Sequence, residues 1–176
     1  RDRVGLVTFD HDIVEYVPPS MKHLDTILHL LDRASAGRAG SLREPLVKIT
    51  ELLGRKGIVV IVSDLYERPE EVLNSISLLR ARGHDVIVFH VLDPAELNFP
   101  FEDSSSFEDL ETHEQIPVIP NRLRDDYKRL VAEHVESVQR RLTENRIDYV
   151  LLDTSKPLDL ALFQYLLARE RWTRKR

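Results

Sequence analysis

Gly57-Ile58-Val59-Val60-Ile61-Val62-Ser63-Asp64 is the stretch that decides the fold. Its five consecutive β-branched residues are too few for a helix and too uniformly apolar for a strand with one wet face. The pattern predicts a strand over Ile58–Val62, buried on both faces in a parallel sheet and ending at Ser63-Asp64. Such a sheet needs helices on both sides. Upstream, Leu46, Ile49, Leu52 and Leu53 share one face of a helix predicted over Leu42–Arg55 and closed by Gly54 and Gly57. Downstream, Pro69-Glu70-Glu71 places proline and acids where a first helical turn accepts them, and Val72, Ile76 and Leu79 mark the buried stripe up to Gly83. A second apolar strand, Val86–Leu92, is stopped by Asp93-Pro94. Helices alternating with β-branched strands imply right-handed crossovers and a sheet covered on both faces.

Further out, Val4–Phe9 and Ile13–Val17 read as two strands of a hairpin around Asp10-His11-Asp12, with Pro18-Pro19-Ser20 breaking the pattern. Leu24, Ile27, Leu28 and Leu31 recur at helical spacing and predict a helix over Met21–Ala34, followed by the small-residue loop Ser35–Ser41. Beyond the second strand, Phe99–Pro120 interrupts the rhythm. Ser106–Glu111 and Gln115–Ile119 flank Thr112-His113-Glu114, so a protruding β-hairpin is expected. Leu123–Asn145 reads as a long amphipathic helix, Asp148–Leu152 as a last sheet strand and Leu158–Trp172 as a final helix. With 176 residues and 42% hydrophobic content the chain can bury one core, so 1–176 is expected to be a single domain with the hairpin 99–120 inserted.

The charge balance narrows the partners. A net charge of -5 offers no basic face for nucleic acid, and the basic run Arg169–Arg176 suits a helix C-terminus. No segment is apolar for the length a membrane span needs, and the absence of cysteine removes disulfides, thiolate metal sites and cysteine nucleophiles. A cytoplasmic location is the expectation. The chain also opens on Arg1 rather than Met and enters a strand almost at once, so upstream sequence is expected.

Ligands of open parallel sheets collect at the carboxyl ends of the strands, and three acids stand there. Asp64, with Ser63 and Glu67, could offer oxygen atoms to a hard cation such as magnesium, or it could cap the next helix or hydrogen-bond a neighbouring loop. Asp93 in Asp93-Pro94-Ala95-Glu96 reads as a helix cap, and Asp153-Thr154-Ser155 as capping for the last helix. Ser41, after Gly40, is an N-cap by default, though its hydroxyl could also contact a metal or an anion. His11, His23, His29, His84, His90, His113 and His134 lie on different elements without zinc-ligand spacing. No G-x-S-x-G elbow, phosphate-binding G-x-x-x-x-G-K-[ST] loop or G-x-G-x-x-G turn occurs, which weighs against hydrolase, nucleotidase and dehydrogenase chemistry.

Asp2–Asp10, then Gly37–Leu42, then Val59-Val60-Ile61-Val62-Ser63-Asp64-Leu65 together resemble a von Willebrand factor type A domain. The narrower resemblance is to the bacterial domain-of-unknown-function family 58 (DUF58). It rests on His90-Val91-Leu92-Asp93-Pro94-Ala95-Glu96-Leu97, the hairpin ending in Ile116–Pro120, and Ile147–Thr154. The fold this implies is a Rossmann-like, mostly parallel sheet with helices on both faces, here without its first strand and first helix. Type A domains carry a metal-ion-dependent adhesion site made of D-x-S-x-S, a middle-loop threonine and a later aspartate. By position Asp64 matches that aspartate, and Ser41 stands near the threonine. D-x-S-x-S itself does not occur, so the resemblance implies magnesium in the full-length protein and none held by these residues alone. It further implies a non-enzymatic module for protein partners, among them a MoxR-type AAA+ ATPase, in assembly or chaperone-like work. A metal-dependent hydrolase using Asp64 with Glu67 or Asp93 is the alternative. A sheet without its first strand would leave an edge and apolar surface open, favouring self-association.

Overall fold

The computed structural model describes residues 2–34, 40–102, 105–108 and 115–173. Its centre is a three-stranded parallel sheet of β3 (Ile58–Ser63), β4 (Asp85–Leu92) and β7 (Asp148–Asp153) in that spatial order, with Ile58 opposite Asp85 and Ile87 opposite Asp148. Two antiparallel pairs flank it: β1 (Val4–Phe9) with β2 (Ile13–Ser20), and β5 (Ser105–Glu108) with β6 (Gln115–Val118). The helices are α1 (Leu24–Arg33), α2 (Arg43–Leu52), α3 (Pro69–Ala81), the short α4 (Pro94–Asn98), α5 (Pro120–Glu144) and α6 (Leu158–Thr173). The chain is thus an α/β protein. The turn of the expected inserted hairpin, 109–114, lies outside the described residues, as does most of the loop after α1.

Register assigns each side chain to a face. Ile61 of β3 and Val86, Val88 and Leu92 of β4 point to one side, where all but Leu92 join Leu42, Leu46, Ile76, Leu79, Val138 and Leu142 from α2, α3 and α5 and the turn before α2 in one core. Val72, Ile76 and Leu79 are fully buried along α3, each contributing about 1.5–3 kcal/mol. On the opposite side α6 lies over β4 and β7. Tyr165 meets Phe89 edge to face at 5.8 Å, and Arg169 reaches Asp148 at 3.1 Å and also pairs with Asp85.

That opposite side is where expectation and structure part. Ile61 is 4% exposed, yet Ile58, Val60 and Val62 are 64%, 50% and 62% exposed. β3 is therefore an edge strand buried on one face only, because α6 stops over β4 and no described helix covers β3 there. Leu52, expected on the buried face of α2, is also exposed.

The second correction concerns the prolines after Val17. β2 does not stop at Pro18 but continues to Ser20, with Leu6 opposite Val17 and Val4 opposite Ser20. Gly5 faces both prolines across this bulge, so neither missing N–H breaks a regular ladder. A Cβ on Gly5 would lie 2.7 Å from the Val17 carbonyl oxygen and 3.0 Å from the Pro19 nitrogen, so glycine is required there. The hairpin has no backbone ladder to β3 among the described residues. It is held through α2 instead: the Ser41 N–H donates to the Asp10 carbonyl at 3.2 Å, Lys48 pairs with Asp12 at 2.6 Å, and Val7, Phe9 and Ile13 pack on the shared core.

Candidate functional site at the carboxyl end of β3

Three acids leave the parallel sheet at one end, and their surroundings separate them. Asp93 accepts the Ala95 N–H at 2.8 Å and the Thr154 hydroxyl at 3.1 Å, while Glu96 closes the capping box on the Asp93 N–H at 2.6 Å. Asp153 accepts both the N–H and the hydroxyl of Ser155, at 3.0 and 2.6 Å, and pairs with Lys156. Those Ser155 bonds hold its carboxyl below the ordinary aspartate range. It serves the turn ahead of α6 rather than the helix itself. Both carboxylates are occupied by local structure.

Asp64 is different. Its exposed carboxylate has one long contact, the Ser63 hydroxyl at 3.5 Å, and the cap position of α3 belongs to Arg68, which makes no side-chain capping bond. The helix-cap reading of Asp64 does not hold.

Ser41 lies on the adjoining loop. The amide that opens α2, Leu42 N–H, is capped at 2.5 Å by Glu67, three residues beyond Asp64. Ser41 makes no capping bond to α2, contrary to its default reading. Glu67, expected as a companion oxygen for Asp64, is instead the tie that holds the two loops side by side. The structure thus brings the Asp64 and Ser41 loops together, with Asp10 behind Ser41, and commits Glu67 and Asp93 elsewhere.

Beneath the loop lies a group that sequence reasoning missed. Leu65 is buried at a positive φ of 51°, a conformation that costs a leucine about 1–2 kcal/mol. The backbone is held there from three elements. His90 of β4 is fully buried, and its Nε2 lies 2.7 Å from the Asp64 carbonyl oxygen. A carbonyl only accepts, so Nε2 carries the proton and Nδ1 accepts from the Tyr149 hydroxyl of β7 at 2.8 Å. His134 of α5 donates from Nε2 to the Leu65 carbonyl at 2.9 Å, and the Leu65 N–H donates to Ser63 Oγ at 3.2 Å. Burial holds the His90 imidazole below its ordinary pKa and pushes the Tyr149 hydroxyl up, so both stay neutral. One signal for this group was present in the sequence: on the buried face Val86, Val88, His90, Leu92, the histidine is the only polar side chain and must find partners inside. On the rim, Tyr66 donates to Glu96 at 2.6 Å, and partial burial followed by that bond pushes its hydroxyl well above the usual range.

A hard cation takes oxygen ligands, about six for magnesium, several of them water. Asp64, Ser63 and Ser41 are donors of the right kind on adjoining loops, but no group of three or more His, Asp or Glu within reach of one ion occurs among the described residues. The described residues alone therefore do not supply a closed protein shell for such an ion.

The chain is 26% identical over 177 residues to "Uncharacterized protein Rv1480" of Mycobacterium tuberculosis, covering 97% of this chain and 55% of that protein. It is 26% identical over 140 residues to "Uncharacterized protein MAV169" of Mycobacterium avium, covering 79% and 82%. The chain thus spans about half the length of the first of these relatives. Among solved structures, the conserved hypothetical protein BatB from Bacteroides thetaiotaomicron superposes with a TM-score of 0.58 at 14% identity, over 96% of this chain and 78% of that one. An aerotolerance-related membrane protein from Bacteroides fragilis gives 0.57 at 16% identity, over 94% and 79%. These likenesses concern the fold. In the chain itself, no helix among the described residues is long and apolar enough to cross a membrane. The model of the family described as "Protein of unknown function DUF58" matches residues 1–137, and the chain belongs to that family.

Proposed function

We propose that this domain is a non-enzymatic protein-interaction module of the von Willebrand factor type A kind, and that it engages its partner at the carboxyl end of β3 through Asp64. The observation that carries the reading is the contrast among the strand-end acids: Asp93 and Asp153 are bonded within their own turns, and Asp64 is exposed on a loop held against that of Ser41. In the full-length protein magnesium would sit on Asp64 and Ser41 with ligands from elsewhere in the polypeptide, and an acid of the partner would complete its shell. A MoxR-type AAA+ ATPase is the partner proposed, which sets the working surface on the cytoplasmic side. The hydrolase alternative needs a second carboxylate beside Asp64; the engagement of Glu67 with Leu42 and of Asp93 with Ala95 favours binding over catalysis.

Calorimetric titration of magnesium into the full-length protein, followed by capture of the ATPase with and without magnesium, tests the proposal. Wild type should bind both, and Asp64→Ala should lose both with its melting temperature intact. Capture indifferent to magnesium and to Asp64→Ala would sink the metal-dependent contact. If deleting residues 103–114 then abolished capture, the β5–β6 hairpin would be the docking surface instead.

A further inference from the structure

We infer that His90 and His134 are positioning residues that set the direction of the Asp64 carboxylate by gripping the two consecutive carbonyls of Asp64 and Leu65. The inference deepens the proposed function and rests on Asp64 being the contact residue. An exposed loop at a strand end would ordinarily turn its carbonyls to water. Here both point inward, to imidazoles from two different elements whose ring centroids stand 6.1 Å apart at 78°. The carbonyl of Asp64 fixes its ψ, and the positive φ of Leu65 fixes the next peptide plane. Together they determine where the Asp64 Cα–Cβ bond points while the carboxylate itself remains in solvent.

Two features separate this from ordinary core filling. Each imidazole spends its Nε2 proton on the loop's backbone, and the strained residue is a buried leucine, which has no conformational reason of its own to be left-handed. The chain of contacts is also directional. Tyr149 orients His90, and His90 and His134 orient the loop, as outer-shell partners orient a ligand in binding sites.

The test uses His134, which is half-buried and whose replacement leaves the central strand intact. His134→Leu keeps bulk and removes the donor; His134→Gln restores an N–H donor. The first readout needs no ligand: the Leu65 HN–Hα coupling and Cα shift in NMR spectra, with the Val86 and Val88 methyl signals reporting that the core is unchanged. The second is paramagnetic broadening of the Asp64 and Tyr66 amides of the full-length protein by manganese alone. The expected result is loss of the left-handed signature in His134→Leu with manganese affinity about 10- to 100-fold weaker, and recovery of both in His134→Gln. A left-handed Leu65 that survives His134→Leu would overturn the positioning role whatever the metal does. If His134→Leu releases the loop but wild type shows no manganese broadening, positioning stands and the metal reading of Asp64 falls.

Discussion

Asp93 and Asp64 are the same residue type at the ends of neighbouring strands, and substitution should tell them apart. Asp93 receives two hydrogen bonds and closes a capping box, so Asp93→Ala should cost about 1 kcal/mol in a denaturant melt. Asp64→Ala should move the same midpoint by less than about 0.5 kcal/mol, because its carboxylate is exposed and bonded weakly. A third aspartate gives a pH test. Asp12 titrates below its ordinary 3.8, first because Lys48 donates to it and then because the Ile13 N–H does. A carboxyl depressed by folding stabilises above its unfolded pKa and loses that contribution as pH falls through the folded value. Lys48→Gln should therefore raise the Asp12 pKa toward 3.8 in a carbon-detected NMR titration and soften the acid limb of stability below about pH 4. Being an exposed surface pair, Lys48 and Asp12 tie the hairpin to α2 more by geometry than by energy.

The uncovered face of β3 has the clearest consequence among the elements. Ile58, Val60 and Val62 present apolar side chains beside an edge that pairs with no other strand among the described residues and carries no lysine, proline or bulge to discourage pairing. The 176-residue chain should self-associate in sedimentation velocity, and Val60→Lys should shift it toward monomer with little change in melting temperature. Only monomer at every concentration would show that the edge is protected by other means. This strand also marks how far the sequence could be read. Five β-branched residues in a row identified the strand and its parallel pairing correctly. They also suggested burial on both faces, since composition records what a strand could bury and not whether a neighbour arrives to bury it. Pro18-Pro19 misled for a related reason: proline is a strand breaker only where a ladder needs its N–H, and the bulge at Gly5 removes that need. Asp64 and Ser41 could be nominated from position in the chain. Of the loop clamp only His90 left a signal, as the polar residue on an apolar face; His134 and Tyr149 are separated from it along the sequence, and only the packing of β4, α5 and β7 unites the three.

For the molecule as a whole, stability rests on the side of the sheet carrying α2, α3 and α5. Leu79 is fully buried among Ile76, Val86 and Leu142, and Leu79→Ala should cost about 2–5 kcal/mol. Against a typical total of about 5–15 kcal/mol, that single change should lower the melting temperature markedly and flatten the unfolding transition. A retained midpoint in calorimetry would mean that this core is not the cooperative unit. The pairing of β4 with β7 adds a matter of timing. β3 and β4 are joined by α3 alone and can close early, whereas β7 must wait for the whole span between Leu92 and Asp148, including α5, to be placed. His134 rides on α5 and Tyr149 on β7, so the contacts that hold the Asp64 loop require both elements to be in place. A chain stalled before that point would lack Val138 and Leu142 from its core and leave the Leu65 carbonyl without its imidazole donor and His90 without the Tyr149 hydroxyl.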